Sequence, residues 1–306
     1  MARYIGRRLA GGLLVIFVSS IIVFALSRAT GDPRLLYVSQ YSTQEQWDEW
    51  GHKFGLDRPY PVQYLIWASK AIRGDFGESL YFHENASHVI PQRIGITLQL
   101  ALGAYIFAVA LGVSLGVASA VFRGSIWDLI ARSIALLGQA MPSFWIGIVM
   151  ILIFSVRLRL LPTSGHGSWK HLVMPCITLG WFPAASLMRL IRSSLLENLD
   201  SEFVKFARAK GVSRLKVIWK HAFRNAMIVP VTYAGLLLGA FITGAVIVES
   251  VFGLPGIGRL SVQAVFNTDF PVLSLLVMLF TTGYVLINLM IDLLYVVIDP
   301  RIRLTA

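Results

Sequence analysis

Ile94-Gly-Ile-Thr-Leu-Gln-Leu-Ala-Leu-Gly-Ala-Tyr-Ile-Phe-Ala-Val-Ala-Leu-Gly-Val-Ser-Leu-Gly-Val-Ala-Ser-Ala-Val-Phe122 runs for 29 residues without a charge. A helix crosses the hydrocarbon of a bilayer with about 20 apolar residues, so this stretch spans a membrane with turns to spare. Five further charge-free runs flank it: Leu9–Ser27 with 19 residues, Ser133–Val156 with 24, Leu172–Met188 with 17, Asn225–Val248 with 24 and Phe270–Ile291 with 22. Leu172–Met188 is marginal in length, and Pro175 and Pro183 are expected to bend or interrupt it. Alternation with period two is absent, which argues against a β-barrel. The expectation is an all-α integral membrane protein of six spans.

Composition agrees. Of 306 residues, 56% are hydrophobic and 14% charged, against about 45–50% and about 25% in soluble domains. That excludes a disordered chain, a disulfide scaffold and an ordinary cytosolic enzyme. Cys176 is the sole cysteine, so no intrachain disulfide or thiolate metal cluster forms. The first run follows Arg3, Arg7 and Arg8, but it exceeds a signal-peptide core and no small-x-small cleavage site follows it. It reads as an uncleaved span.

Lys and Arg set the orientation. With the N-terminus in the cytoplasm, inside segments hold 16 Lys/Arg and 5 acidic residues, and outside segments hold 11 and 10. The positive-inside rule then places both termini in the cytoplasm. The chain divides into the N-terminus and first span (1–27), an external helical cap (28–93), a five-helix membrane core (94–298) with an inside loop at 189–224, and a cytoplasmic tail (299–306).

Two loops exceed a simple connection. The outer one carries Thr43-Gln-Glu-Gln46, a capping-box pattern, before Trp47, Trp50 and Phe54 on one helical face. Gly55-Leu-Asp-Arg-Pro59 ends that helix, Tyr60–Ile72 reads as a second one, and Gly74-Asp-Phe-Gly77 reads as a turn. The inner loop is strongly basic. A short helix opens near Asp200 or Ser201 and runs to Lys210, and Gly211 breaks it. A second, from Ser213, carries Leu215, Ile218, Trp219, Ala222 and Phe223 on one side and Arg214, Lys216, Lys220 and Arg224 on the other. Such a helix either lies on an anionic membrane surface or enters a groove in another protein. The small residues Ala207, Ala209 and Gly211 favour the groove.

Little in the chain performs chemistry. G-x-x-x-x-G-K-[ST] and H-E-x-x-H are both absent. His83, Glu84 and His88 have the wrong spacing for a zinc site, and His221 reads as a structural hydrogen-bonding group. Charged residues inside spans are the default functional candidates, yet only Asp292 and Glu249 qualify. Glu249 adjoins Val251-Phe-Gly-Leu-Pro-Gly-Ile-Gly258, a stretch that reads as re-entrant. Gly112 and Gly116 permit close helix contact without naming the partner. The residues thus point to a permeation subunit without its own energy source.

Phe203-Val-Lys-Phe-Ala-Arg-Ala-Lys-Gly211, followed by His221-Ala-Phe-Arg-Asn225 and Pro230, resembles the coupling loop of permease subunits of bacterial dipeptide, oligopeptide and nickel ABC importers. Gly31-Asp-Pro33, Gly55–Pro59, Gly74–Gly77, Leu161-Pro162, Met188–Ser194, Glu249–Gly258, Asp269-Phe-Pro271 and Asp299-Pro-Arg-Ile-Arg303 are similar to the same family. The general pattern has a glutamate six residues before the glycine. Here that residue is Lys205, as in the peptide-type branch.

The resemblance implies the type I importer permease fold, with the cap after the first span marking a B-type subunit of the inner membrane. It implies that Lys205, Ala207, Arg208, Ala209, Lys210, Gly211, His221, Arg224 and Asn225 couple to an ATPase subunit. Glu249, Phe252, Pro255, Gly256, Gly258, Asp269 and Asp75 become candidates for an outer gate or docking surface. Gln139, Ser143, Thr178, Ser186, Thr243 and Asn288 are candidates for the translocation path. The implied partners are a second, C-type permease, two ATPase subunits, an extracytoplasmic substrate-binding protein and the bilayer, with no nucleic acid. No catalytic, cofactor or metal residue is implied in this chain, and ATP and Mg would be bound by the partner ATPases. Di- or oligopeptides are the expected cargo; nickel chelates, glutathione and oligosaccharides are carried by relatives. A self-contained carrier would need inverted repeats or buried ionisable groups, and neither is legible.

Overall fold

The structure, a computed structural model, describes residues 2–29, 43–79 and 81–298. Gly31-Asp-Pro33 and the 299–306 tail lie outside the described residues. The order is α1 Ala2–Ala29, α2 Gln44–Phe54, α3 Tyr60–Ala71, α4 Ala86–Val89, α5 Pro91–Val121, α6 Ile126–Ala140 and α7 Ser143–Met150, which passes into a π-helical stretch at Ile151–Arg157. Then come α8 Lys170–Leu199, α9 Glu202–Ala209, α10 Arg214–Lys216, a π-helical stretch at Val217–Phe223, α11 Arg224–Ala226, α12 Ile228–Val251, α13 Ile257–Phe266 and α14 Phe270–Ile298. Among the described residues, 4 helices are long and apolar enough to cross a membrane, and up to 6 if each of two bent pairs makes one span.

The bent pairs correct the expected spans. Ser133–Val156 is not one straight helix, because α6 and the helix beginning at Ser143 meet at 108°. Met141 takes the extended geometry (φ −97°, ψ 130°) that a following proline favours, and Pro142 has no N–H to continue the ladder. The second bend, of 55° between Ala226 and Ile228, falls at the start of the fifth run, which then continues as the single helix α12. Pro230 cannot donate to the carbonyl of Ala226, and the Ser194 hydroxyl donates to that carbonyl instead at 2.8 Å. The prolines of the fourth run do not interrupt it: α8 continues through Pro175 and Pro183 for 30 residues. Neighbouring helices support such a helix on several sides.

Contacts divide the chain into two compact units, Met1–Gly95 with Leu260–Ala306, and Ile96–Arg259. In the first, α1 lies along α14 so closely that a Cβ on Gly12 would come within 2.6 Å of Val285. The α3 helix packs on α1 through Tyr64, which shares a hydrogen bond with Ser20 at 2.8 Å and meets Phe24 edge to face. Trp67 and Phe76 extend this aromatic row.

In the second unit α8 is the central helix, contacted by α6, α7 and α12. The partner of the Gly112/Gly116 pair is also α8. A Cβ on Gly116 would lie 2.9 Å from both Ile191 and the Met188 carbonyl, and one on Gly112 would lie 3.0 Å from Leu187. Small residues let helix backbones approach where lipid supplies no hydrophobic drive.

Candidate functional site

The basic segment starts later than the sequence suggests. Residues 189–199 belong to α8, so the loop opens at Asp200. The α9 helix is capped at its C-terminal end by Lys210, whose N–H reaches the Phe206 carbonyl, and Gly211 then takes φ +75°, a left-handed geometry that costs glycine little. Val212 N–H returns to the Ala207 carbonyl at 3.2 Å. The second expected helix is built from α10, the π-helical stretch and α11.

Two faces result. Val204, Val217, Ala222 and Ala226 are buried against Val117, Ala120, Leu187, Ile191 and Leu195 of α5 and α8. On the other face Lys205, Arg208, Ala209, Lys210, Gly211, Arg224 and Asn225 are exposed, while Ala207 and His221 are half-buried. Phe206 and Leu215 are exposed too, at 67% and 70%. Lys205 pairs with Glu202 at 2.7 Å, and that hydrogen bond, with the charge behind it, raises the Lys205 pKa above its ordinary value. Asn225 donates to the His221 carbonyl. Within this chain the segment is therefore seated on one side and free on the other, with cations and apolar groups mixed on the free face.

Beside it is a site that sequence reading missed. Asp128 is buried in the first turn of α6. Arg192 of α8 donates to it through Nε at 2.9 Å and Nη2 at 3.0 Å, and Arg192 Nε also contacts the Ser119 hydroxyl of α5 at 2.9 Å. Ser119 donates to the same carboxylate, and so does the Gly124 amide at 3.1 Å. Arg132 Nε lies 3.4 Å from Oδ1. Such two-pronged pairs fix geometry as well as charge. Asp128 and Arg192 both fall outside the apolar runs and read as solvated loop charges; no spacing signal joins them.

The outer-gate candidates form two anchored turns, one in each unit. Glu249 is fully buried. Thr97 donates to its Oε1 at 2.6 Å, and the Arg259 amide donates to Oε2 at 2.8 Å. The Ile257 amide donates to Thr97 at 2.9 Å, so the carboxylate and the hydroxyl together satisfy the first amides of α13. Gly256 and Gly258 are buried around this group, and a Cβ on Gly256 would overlap the carboxylate. Phe252 is buried and Pro255 half-buried in the same turn.

In the other unit Asp269 is buried, accepts from the Ser79 hydroxyl, and receives the Val272 amide at 3.4 Å at the start of α14. Gly77 packs on Pro271 and Asp75 accepts from the Gly77 amide at 3.0 Å, so the turn at 74–77 and Asp269-Phe-Pro271 come together. Glu249 and Asp269 are enclosed by their own chain in this state. They hold turns and present no carboxylate to a docking partner, whereas Asp75 is exposed.

The path candidates are scattered. Gln139 donates to Ser186 at 3.2 Å across α6 and α8. Thr178 is buried with its hydroxyl toward the Met150 sulfur, Ser143 is half-buried at the start of α7, Thr243 falls within α12, and Asn288 belongs to α14 in the other unit. Among the described residues, no group of three or more His, Cys, Asp or Glu could hold a metal ion.

The chain matches the family described as "Binding-protein-dependent transport system inner membrane component" over residues 112–304, and the companion N-terminal description over residues 1–101. The chain belongs to this family. It is a permease component of an ABC-type importer, a multi-pass membrane protein whose family role is transmembrane and non-catalytic. It is 39% identical over 319 residues to a protein of Brucella suis biovar 1 (strain 1330) named as a peptide permease, covering 100% of both chains. It is 38% identical over 304 residues to the glutathione transport system permease protein GsiC of Escherichia coli (strain K12), covering 99% of each.

Among solved structures, a methionine ABC transporter chain in an inward-facing conformation superposes on the permease with TM-score 0.57 at 19% identity, over 69% of this chain and 96% of that one. An amino acid ABC transporter chain gives TM-score 0.54 at 16% identity, over 70% and 94%. These likenesses show the all-α type I importer permease fold.

Proposed function

We propose that this permease carries di- or oligopeptides inward, with a substrate-binding protein delivering them outside and two ATPase subunits driving the cycle from the cytoplasm. A second, C-type permease completes the pathway, and both termini of this chain face the cytoplasm. The observation that carries the reading is the two-faced segment around Gly211. One side is locked into the α5/α8 core, and the other offers Lys205, Arg208, Lys210 and Arg224 with Phe206 and Leu215 to a partner. A motion imposed on the free side passes to α8 through packed side chains, and interiors that are close-packed shift as units. The Glu249 and Asp269 turns would hold the other end of the pathway.

The 38% identity to a glutathione permease favours a second cargo, glutathione, which is itself a short peptide. Coexpression with the second permease, both ATPases and the binding protein tests both readings. A complex whose ATPase rate in lipid rises with one loaded cargo, and which Gly211→Trp uncouples, supports import and identifies the cargo. Solute movement by this chain alone, without ATPase, would overturn it.

A further inference from the structure

The last third of α8 faces two neighbours with two stripes of side chains. Ile191 and Leu195, four residues apart, enter the apolar cluster that holds Val204 and Val217 of the basic segment. Ser194, on the same side, donates to the Ala226 carbonyl at 2.8 Å. The second stripe is Ala185, Met188 and Arg192. Its first two members pack on Ala131 and Ala135 of α6, and Arg192 ends it in the two-pronged pair with Asp128. A further ion pair, Arg123 to Asp200 at 3.1 Å, joins the turn between α5 and α6 to the start of the basic segment; being exposed, it adds little by itself.

The other end of α6 leads away from this junction. It meets the helix beginning at Ser143 at 108°, and that helix carries Gly147. A Cβ on Gly147 would lie 3.2 Å from Phe252 and from Val251, beside the turn that encloses Glu249. All these residues belong to the compact unit Ile96–Arg259. Within it an unbroken run of contacts leads from the basic segment through α8, α6 and α7 to the 249–258 turn.

We propose that Asp128 and Arg192 are a positioning pair that makes α6 follow the basic segment, so that a displacement imposed there by an ATPase reaches the 249–258 turn through the bent α6–α7 pair. The proposal rests on the coupling role given to the segment above and not on the cargo. Packing alone would hold α6 weakly to this motion, because Ala131, Ala135 and Ala185 are small and offer few knobs to resist sliding. A carboxylate gripped by two guanidinium donors has one register. The Ser119 hydroxyl and the Gly124 amide fix the same carboxylate from α5 and its turn, so α5 is held in the same junction. A run of contacts carries coupling only where its members move together.

Double electron–electron resonance on the complex purified with the second permease and both ATPases reads that motion directly. In a Cys176→Ser background, spin labels are placed at Leu136→Cys on α6 and Lys216→Cys on α10, both exposed positions. With the ion pair intact, adding ATP and vanadate should leave the label distance unchanged, since α6 and the segment move as one body. In Arg192→Gln and in Asp128→Asn, ATP should shift or broaden it by about 2 Å or more, the scale of helix shifts at interfaces, with the ATPases still copurifying. Arg192→Lys, which keeps the charge and a donor, should restore most of the constancy. Leu276→Ala removes a fully buried side chain of the other compact unit; it should lower the melting temperature and leave the distance constant. A distance that moves with ATP while the pair is intact, or that stays fixed in both Arg192→Gln and Asp128→Asn, would overturn the linkage alone. Failure of the ATPases to copurify with the unaltered chain would overturn the import reading and the linkage together.

Discussion

Arg192 and Asp128, 64 positions apart, meet in a two-pronged ion pair that ties the last third of α8 to the first turn of α6, with Ser119 of α5 closing the third side. The pair lies beside the apolar cluster on which the Gly211 segment is seated. It therefore joins three helices next to the seat of the basic segment.

Breaking this pair from one side leaves a buried charge without its partner, a loss of about 3–5 kcal/mol. Arg192→Ala and Asp128→Asn should each lower the melting temperature of the purified complex. Arg132, 3.4 Å from the same carboxylate, softens the loss in Arg192→Ala. The double variant should cost less than the sum, because neither charge is then stranded. Additive losses in thermal denaturation would show that the two groups do not act as a pair.

Gly256 and Glu249 make a steric prediction. A methyl at Gly256 would enter the space of the Glu249 carboxylate, so Gly256→Ala should cost about 1–3 kcal/mol as overpacking. Shortening the acid in Glu249→Ala makes room but strands the first amides of α13. Adding Gly256→Ala to that background should then do little further harm. Parallel melting curves of the two single variants and the double one settle the point.

Gly116 and Gly6 offer a matched contrast on two apolar helices. A Cβ at Gly116 meets the Met188 carbonyl and Ile191 at 2.9 Å, whereas one at Gly6 meets nothing within 4 Å. Gly116→Ala should force α5 from α8 and reduce yield and melting temperature. Gly6→Ala should leave both within error. Fluorescence-detected size-exclusion profiles across a temperature series would show the difference.

Gly211 separates folding from partnership. Nothing lies within 4 Å of its Cβ position, yet its φ is +75°. Gly211→Ala should cost about 1 kcal/mol from backbone strain, and Gly211→Asn less, since asparagine tolerates the left-handed region. If the free face docks into an ATPase, Gly211→Trp should leave the permease folded but reduce the ATPase recovered with it. Equal ATPase recovery from Gly211→Trp and Gly211→Asn would argue against docking at this turn.

Much of this protein was legible as sequence because bilayer physics acts on local composition. Charge-free runs mark apolar helices, and Gly55, Gly74, Gly77 and Gly211, all at positive φ, mark turns and helix ends. The basic segment after α8 declared its two helices and their break, although its start at Asp200 was obscured because α8 continues past the apolar run. What the residues by themselves did not determine depends on long-range pairing. Pro142 breaks a helix by 108° while Pro175 and Pro183 do not, and proline chemistry is the same in all three; only the packing around the chain decides which freed carbonyl finds support. Glu249 stands out in sequence by its place at the end of a span, but Asp128 and Asp269 are carboxylates that local sequence cannot tell from solvated or surface acids, and no local signal names the donors of any of the three. Tertiary structure buries each one and gives it donors from distant segments, because a buried charge persists only where hydrogen bonds replace its lost water.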